Sequence, residues 1–330
     1  MKRPILLLFS ILALHATPAA AQEANQPRFP MFLDTGSGDV ELRSHAYMSI
    51  QNPDYPQLVF VPDRGLNGDI FLTKADGSPG WQAYANANGW NTYSLSLVGC
   101  GKADPPPTDD LVDLTEKSVF GVYQIGVGTQ AQLLIAHGAP AAFAIKARAL
   151  DKLASKTAVL LDAWGPPGSQ SRPAPTVDEV VAESRDLEKA MFRRWGAGKS
   201  PGRFARDSDL GKEGFDAMLQ RVQRDQPAYW ATLVTGFVAD VRVADPANLE
   251  GWHVLLVQGP YRSADEVRWE DELAAWLRER GVHVDRMALT DLGLPGISAL
   301  PMSGRHADAV LEHFLAWSSA QTLDAAETGR

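Results

Sequence analysis

Apolar residues along this chain fall into short runs separated by longer amphipathic stretches. Leu58-Val59-Phe60-Val61 is a continuous apolar run that breaks at Pro62-Asp63-Arg64-Gly65, the pattern of a buried strand. Further strands are predicted at Asn91–Leu97, Gln132–Ala136, Ala158–Leu161, Val254–Val257 and Val284–Leu289. Helical spacing fills several intervals between them. A stretch around Trp81–Asn88 is closed by Gly89, and a helix entered at Pro140 carries Phe143, Ala147, Leu150 and Ala154 on one face. A third, Asp265–Arg280, stops at Gly281, and the last runs from about His306 to Trp317. Val40–Leu42 and Ala46–Ile50 alternate in polarity and predict two edge strands. Strands alternating with helices specify an α/β fold with a mostly parallel sheet, here about eight strands, covered on both faces.

The segment 169–249 interrupts that alternation. It is charged and helical in pattern, opens at a capping box (Thr176 to Glu179), and holds Val180, Leu187, Met191, then Met218, Leu219 and Val222 at helical spacing. This predicts a helical cap inserted between two sheet strands, roofing their carboxyl ends, where ligands bind in open α/β sheets. The chain starts with Lys2 and Arg3, an apolar run Ile5–Leu14, and the small-residue exit Ala19-Ala20-Ala21, the layout of an export signal. The run is shorter than the roughly 20 apolar residues that a spanning helix needs. The predicted organisation is therefore a signal at 1–21, an α/β core at 22–168 and 250–320, a cap at 169–249, and a tail at 321–330. The implied location is the periplasm or the medium.

Composition narrows the function classes. The 330 residues include 31 Lys and Arg against 40 Asp and Glu, and loss of the signal would remove two bases and no acid. Such a chain lacks the electrostatic footprint of a nucleic-acid binder. Hydrophobic residues at 45% and charged residues at 22% mark a globular chain. Cys100 is the single cysteine, so no intramolecular disulfide can form, and in an oxidising compartment the fold rests on its core. After the signal no apolar run is long enough to span a bilayer.

The most informative local pattern is strand, sharp turn, helix at Leu133-Leu134-Ile135-Ala136-His137-Gly138-Ala139-Pro140. This is the frame of the nucleophile elbow, Gly-x-Ser-x-Gly. Its apex here is Gly138, which offers no attacking atom and adopts the positive φ of an apex at little cost. Other segments carry a family likeness: Gly65-Leu66-Asn67-Gly68, Asp76-Gly77-x-Pro79-Gly80-Trp81, Gly89-Trp90-Asn91-Thr92-Tyr93 and Gly99-Cys100-Gly101. With Asp162-Ala163-Trp164-Gly165-Pro166-Pro167 and Asp291-x-Gly293-Leu294-Pro295-Gly296-Ile297-Ser298-Ala299, the chain resembles secreted bacterial esterases of the α/β-hydrolase superfamily.

The resemblance implies an α/β-hydrolase fold and places the catalytic positions. Gly138 stands where the family has its serine, Ala299 where it has the general-base histidine, and Asp162 where it has the orienting acid. Pro62-Asp63 stands where many members carry His-Gly, so Asp63, Arg64 and Gly65 form the altered oxyanion loop. The Ala139 amide is left as one oxyanion donor, and His137 and Trp164 are candidate pocket residues. Acyl transfer needs an activated nucleophile, a base within reach and donors aimed at the developing oxyanion. A carboxylate at 63 near that charge would oppose it unless Arg64 or a proton neutralises it.

The remaining candidates have plainer readings. His137 is expected to sit beside the turn, bonded to backbone, and His306 and His313 on a solvated helix face. His45, His253 and His283 show no partners at metal-ligand spacing, so neither metal nor cofactor is expected. Cys100 belongs to a structural glycine loop, and Ser96, Ser298 and Ser303 lie outside any elbow. Three readings stay open. One is an exported, catalytically inactive homologue whose capped pocket holds a small apolar or ester-like ligand, or which serves a protein partner. Another is an active hydrolase in which a serine or Cys100 meets Asp162 and a histidine in space. The last is a scaffold with a collapsed pocket.

Overall fold

A computed structural model describes residues 29–34, 43–63, 66–97, 111–163, 165–166, 208–225, 243, 246–260 and 264–327. The expected export signal at 1–21, the expected capping box at 176–179, most of the expected cap, and Val40–Leu42, Arg64, Gly65, Cys100 and Trp164 lie outside these residues. Eight strands form one sheet: β1 Phe29–Asp34, β2 Arg43–Ser49, β3 Gln57–Val61, β4 Asn91–Ser96, β5 Leu133–His137, β6 Thr157–Leu161, β7 His253–Gln258 and β8 His283–Ala288. Their order is β1-β2-β4-β3-β5-β6-β7-β8. β1 pairs with β2 and β2 with β4 antiparallel, and every pairing from β4 to β8 is parallel.

Period-two alternation explains how one sheet carries two apolar layers. Val59, Val61, Leu134, Ala136, Leu160 and Leu256 face one side. There they meet α2 (Leu111–Thr129), α3 (Pro140–Leu150) and α5 (Ala264–Arg278) through Val122, Ile125, Phe143, Ala147 and Leu273. Their strand neighbours Leu58, Phe60, Leu133, Ile135, Leu161 and Val257 face the other. There they meet α1 (Trp81–Ala87), α4 (Gly211–Asp225) and α6 (Ala307–Glu327) through Trp81, Phe215, Met218, Leu311 and Phe314. Phe60 stacks on Phe71 with ring centroids 4.8 Å apart, and the indole N–H of Trp81 donates to the Ala307 carbonyl at 2.7 Å.

Several expectations shift. An edge strand not expected from the sequence, Phe29–Asp34, pairs with β2, while the expected strand at Val40–Leu42 lies outside the described residues. Leu150 ends α3 with its side chain exposed, and Ala154 is buried in a separate 3-10 turn, so the predicted face stops at Ala147. Helix α2 was not anticipated. α6 runs ten residues past its expected end at Trp317, so residues 321–327 are helical. Met218, predicted on a cap helix, is fully buried in the apolar layer shared with Trp81 and Phe314, so α4 packs into the core cluster itself.

Candidate functional site

The strand order creates the site. The chain passes from β3 to β4 on one side, then returns across β3 to β5 on the other. The carboxyl ends of β3 and β5 flank this switch point, where open α/β sheets bind their ligands. Register sets what meets there. Val61 pairs with Ala136, so Asp63 and Gly138, each two residues further on, emerge level with one another. His137 pairs with Leu161 and Leu161 with Val257, which brings Asp162 to the same height from β6 and Gly259 from β7.

The elbow has the backbone of its frame. Gly138 takes φ +69°, its amide donates to the Leu161 carbonyl at 2.8 Å, and Pro140 opens α3 directly behind Ala139. The volume beside Gly138 is occupied. A Cβ built there would overlap Oδ1 and Cγ of Asp63, with Oδ2 2.8 Å away. Oδ1 of Asp63 also accepts from the Ala139 amide at 3.3 Å, and the residue is only 3% exposed. The carboxylate of Asp63 thus fills the place of an apex side chain and holds the donor expected to serve an oxyanion.

Asp162 stands next to this pair. It is one of two non-glycine residues at positive φ among those described, at +52°, a conformation that costs about 1–3 kcal/mol and persists where surroundings impose it. Here its amide donates to the Val257 carbonyl at 2.9 Å, and its Oδ1 accepts from the Gly259 amide at 2.8 Å. Glycine at 259 is required, because a Cβ would lie 2.6 Å from Oδ1 of Asp162 and closer still to Oδ2. Oδ2 of Asp162 lies 3.9 Å from Nε2 of His137, whose side chain is 2% exposed against 16% for Asp162. His137 is therefore buried beside Asp162, at a separation longer than a hydrogen bond.

Ala299 is 7% exposed and belongs to the apolar layer with Leu66, Ile297, Leu300 and Met302. Its loop is held by a residue that sequence reasoning missed. Asp209, just before α4, accepts from the Ser298 amide at 3.0 Å through Oδ1 and from the His306 amide at 3.3 Å through Oδ2. Its own amide donates to the Gly296 carbonyl at 2.5 Å. Burial pushes the Asp209 carboxyl above its ordinary range, against the pull of the His306 and Ser298 amides. The partners lie 89 and 97 positions away in sequence, so no local motif announces them.

The other candidates separate from the site. Trp81 and Trp90 are core residues, and Ser298 and Ser303 are buried in the loop that Asp209 holds. His306 is partly buried and not on a solvated face. His253 and His283, thirty positions apart, are register partners on β7 and β8 and stack with centroids 4.5 Å apart. Among the described residues, no group of three His, Cys, Asp or Glu is placed to hold a metal, and no helix is long and apolar enough to cross a membrane.

An eight-stranded, mostly parallel sheet with this order and a sharp strand-turn-helix after β5 is the α/β-hydrolase fold. Solved structures agree. The chain superposes on a 2-hydroxy-6-oxo-6-phenylhexa-2,4-dienoate hydrolase from Rhodococcus sp. strain RHA1 with a TM-score of 0.58 at 13% identity, covering 89% of this chain and 99% of that one. An esterase from Rhodococcus sp. ECU1013 gives a TM-score of 0.57 at 13% identity over 85% and 96% of the two chains. A bacterial esterase solved at atomic resolution gives 0.52 at 13% identity over 89% and 94%. At such identities the likeness is one of fold. No family model matches the chain. No curated protein matches it either.

Proposed function

We propose that this protein is an exported, catalytically silent member of the esterase-like α/β hydrolases, which keeps the crevice at the β3/β5 switch point to bind a small molecule. One observation carries the reading: the Asp63 carboxylate occupies the volume beside Gly138 and accepts from the Ala139 amide. An acyl-enzyme route needs an attacking atom and a vacant oxyanion donor at that spot. The apex holds hydrogen in place of a hydroxyl, and the donor already has an acceptor. Ala299, at the position of the general base, packs among apolar side chains. Removing even one member of such a unit lowers turnover by orders of magnitude. Export rests on the pattern of residues 1–21.

The test is direct. The purified chain is expected to leave p-nitrophenyl acetate and butyrate unhydrolysed above a heat-denatured control, and to take no label from a fluorophosphonate probe. Stoichiometric labelling at any serine, with matching turnover, would overturn the proposal. A second reading, a scaffold with no ligand site, draws on the same observation, because the carboxylate fills space a substrate would otherwise approach. A ligand-induced rise in melting temperature separates the two, since only a protein that binds its ligand in the folded state is stabilised by it.

A further inference from the structure

At the end of the sheet opposite the crevice, around the start of β6, the surface turns apolar. Five large apolar side chains stand exposed among the described residues, and three of them, Phe120, Leu150 and Leu153, belong to α2, α3 and the 3-10 turn Lys152–Ala154. We infer that this corner docks the protein on a bilayer rich in anionic phospholipid, with Leu150 and Leu153 entering between headgroups that Lys152 and Lys156 attract. The inference is independent of how the crevice is read.

Two contacts fix how α2 and α3 lie. Glu116 of α2 is ion-paired to Lys146 of α3, and Gly126 of α2 sits so close to the Ala154 carbonyl that a Cβ there would overlap it. The two helices therefore run side by side in the same direction. Phe120 follows Glu116 by one turn and Leu150 follows Lys146 by one turn, so the two emerge level with each other. Phe120 stacks on Tyr123 with ring centroids 5.8 Å apart, and Tyr123 and Val127 continue the row at helical spacing while packing down onto the core. Leu153 extends the strip from the turn after α3. A contiguous exposed strip of this kind marks an interaction surface, where scattered single residues would not.

Charge and shape select the occupant. The chain carries 40 acidic against 31 basic residues, yet around this strip Lys117, Lys146, Lys152 and Lys156 outnumber Glu116 and Asp151. Asp151 turns its Oδ1 to the Leu153 amide at 2.8 Å, and Glu250, in a neighbouring turn, lies against Gly281. Lys152 and Lys156 are both exposed beside the leucines. A second copy of the chain, joined about a two-fold axis, would set these lysines against themselves. An anionic bilayer meets them with opposite charge. Leu150 is 55% exposed and Leu153 50%, the highest values among the large apolar side chains described. They project from a helix end and a tight turn instead of lining the groove that a docked helix requires. Projecting leucines flanked by lysines suit a lipid interface, where apolar area enters the acyl boundary and basic side chains are drawn to anionic headgroups.

The experiment uses the chain from Gln22 onward, which keeps every described residue and drops the apolar run Ile5–Leu14, a lipid binder in its own right. It is co-sedimented with vesicles of phosphatidylglycerol and phosphatidylcholine in equal parts, and with vesicles of phosphatidylcholine alone. The expected result is sedimentation with the anionic vesicles, weakened about tenfold by Leu150→Ser with Leu153→Ser and about tenfold by Lys152→Glu with Lys156→Glu. Salt at about 1 M, where charges act over roughly 3 Å, should release the protein. All four side chains are exposed, so both variants should keep the parent melting temperature, and if the leucine pair unfolds the lysine pair decides. Sedimentation that is absent, equal on the two vesicle types or indifferent to the lysine pair overturns the inference. So does capture of a soluble Glu- and Leu-rich helical peptide without vesicle binding, which assigns the strip to an acidic protein. A dimer in sedimentation velocity that the leucine pair dissolves assigns it to a second copy and overturns it equally.

Discussion

Gly138→Ser, the substitution that would reinstate the missing hydroxyl, should damage this protein instead of repairing it. Two effects act at once. A serine must hold φ near +69°, which costs an L-residue about 1–2 kcal/mol. Its Cβ must also displace a buried carboxylate, since Oδ1 and Cγ of Asp63 overlap the Cβ position and Oδ2 lies at 2.8 Å, well inside the ~3.5 Å of a comfortable contact. Moving Asp63 forfeits its bond to the Ala139 amide, and a hydrogen bond to a charged group contributes about 1.5–3 kcal/mol. Together the loss is about 3–5 kcal/mol, or a fall of roughly 4–7 °C in melting temperature for a chain of this size. Asp63→Ala alone should cost about 1–3 kcal/mol by leaving the Ala139 amide without its acceptor. In the double variant the overlap is gone and only the strained φ and the emptied amide remain. Its destabilisation should therefore fall short of the sum of the singles by about 2 kcal/mol, within the range seen for residues in contact. Urea unfolding of the four proteins closes the cycle. Single-variant effects that add to within about 0.5 kcal/mol would refute the claim that Asp63 holds the place of an apex side chain.

The same logic governs restored chemistry: Asp63→Gly with Gly138→Ser and Ala299→His should yield fluorophosphonate labelling at the introduced serine, whereas the last two changes alone should not. Labelling of both equally would show that Asp63 does not block the apex. Asp209→Ala strips the acceptor from two amides, those of Ser298 and His306, and should lower stability by about 2–5 kcal/mol in denaturant titrations. Asp209 also supplies a pH signature. Burial raises its carboxyl above 3.8 in the folded chain, so the folded form holds that proton more readily than the unfolded one. Its contribution must then grow as pH falls from the raised value towards 3.8, so melting temperatures of wild type relative to Asp209→Asn should improve on acidification; the opposite trend sinks the reading. Gly259→Ala pushes a methyl into the Asp162 carboxylate and should destabilise by several kcal/mol, at the upper end of single-site effects.

The parts of the fold legible in the sequence were those written in local periodicity. Leu58–Val61, Ala158–Leu161 and Val254–Val257 are uninterrupted apolar runs because parallel strands are buried on both faces, and each lies within an observed strand. Helix α2 escaped for a related reason. Gly121, Gly126 and Gly128 dilute its pattern, and Gly126 is dictated from outside, since a Cβ there would run into the Ala154 carbonyl. The outer edge strand Phe29–Asp34 contains Pro30 and was not read as a strand, in keeping with proline's place at sheet edges. The site was legible in its positions and not in its consequences. Gly138, Asp162 and Asp63 could each be assigned by resemblance, but that Asp63 would stand in the apex volume follows from the pairing of Val61 with Ala136, which is a property of register. The Asp209 clasp and the His253–His283 stack are longer-range still, and no spacing rule could have joined their members.

Register also explains why the two unusual residues belong together. At the end of β3 a glycine leaves the volume beside the neighbouring apex open, and any side chain there points into it. At the end of β5 an L-residue must fill that same volume with its own Cβ. Of the four combinations, two side chains clash. Two glycines leave the Ala139 amide buried without a carboxylate. The remaining pair are complementary: a side chain on β5 facing glycine on β3, or the reverse arrangement seen here. The exchange is therefore a steric toggle with two stable settings, and passage between them runs through an intermediate that is either overlapped or emptied. A chain that has reached the second setting cannot regain an apex hydroxyl by one substitution without first vacating position 63. If the proposed silence holds, that arrangement would be self-retaining on steric grounds, with Asp63 as the residue that keeps an apex side chain out.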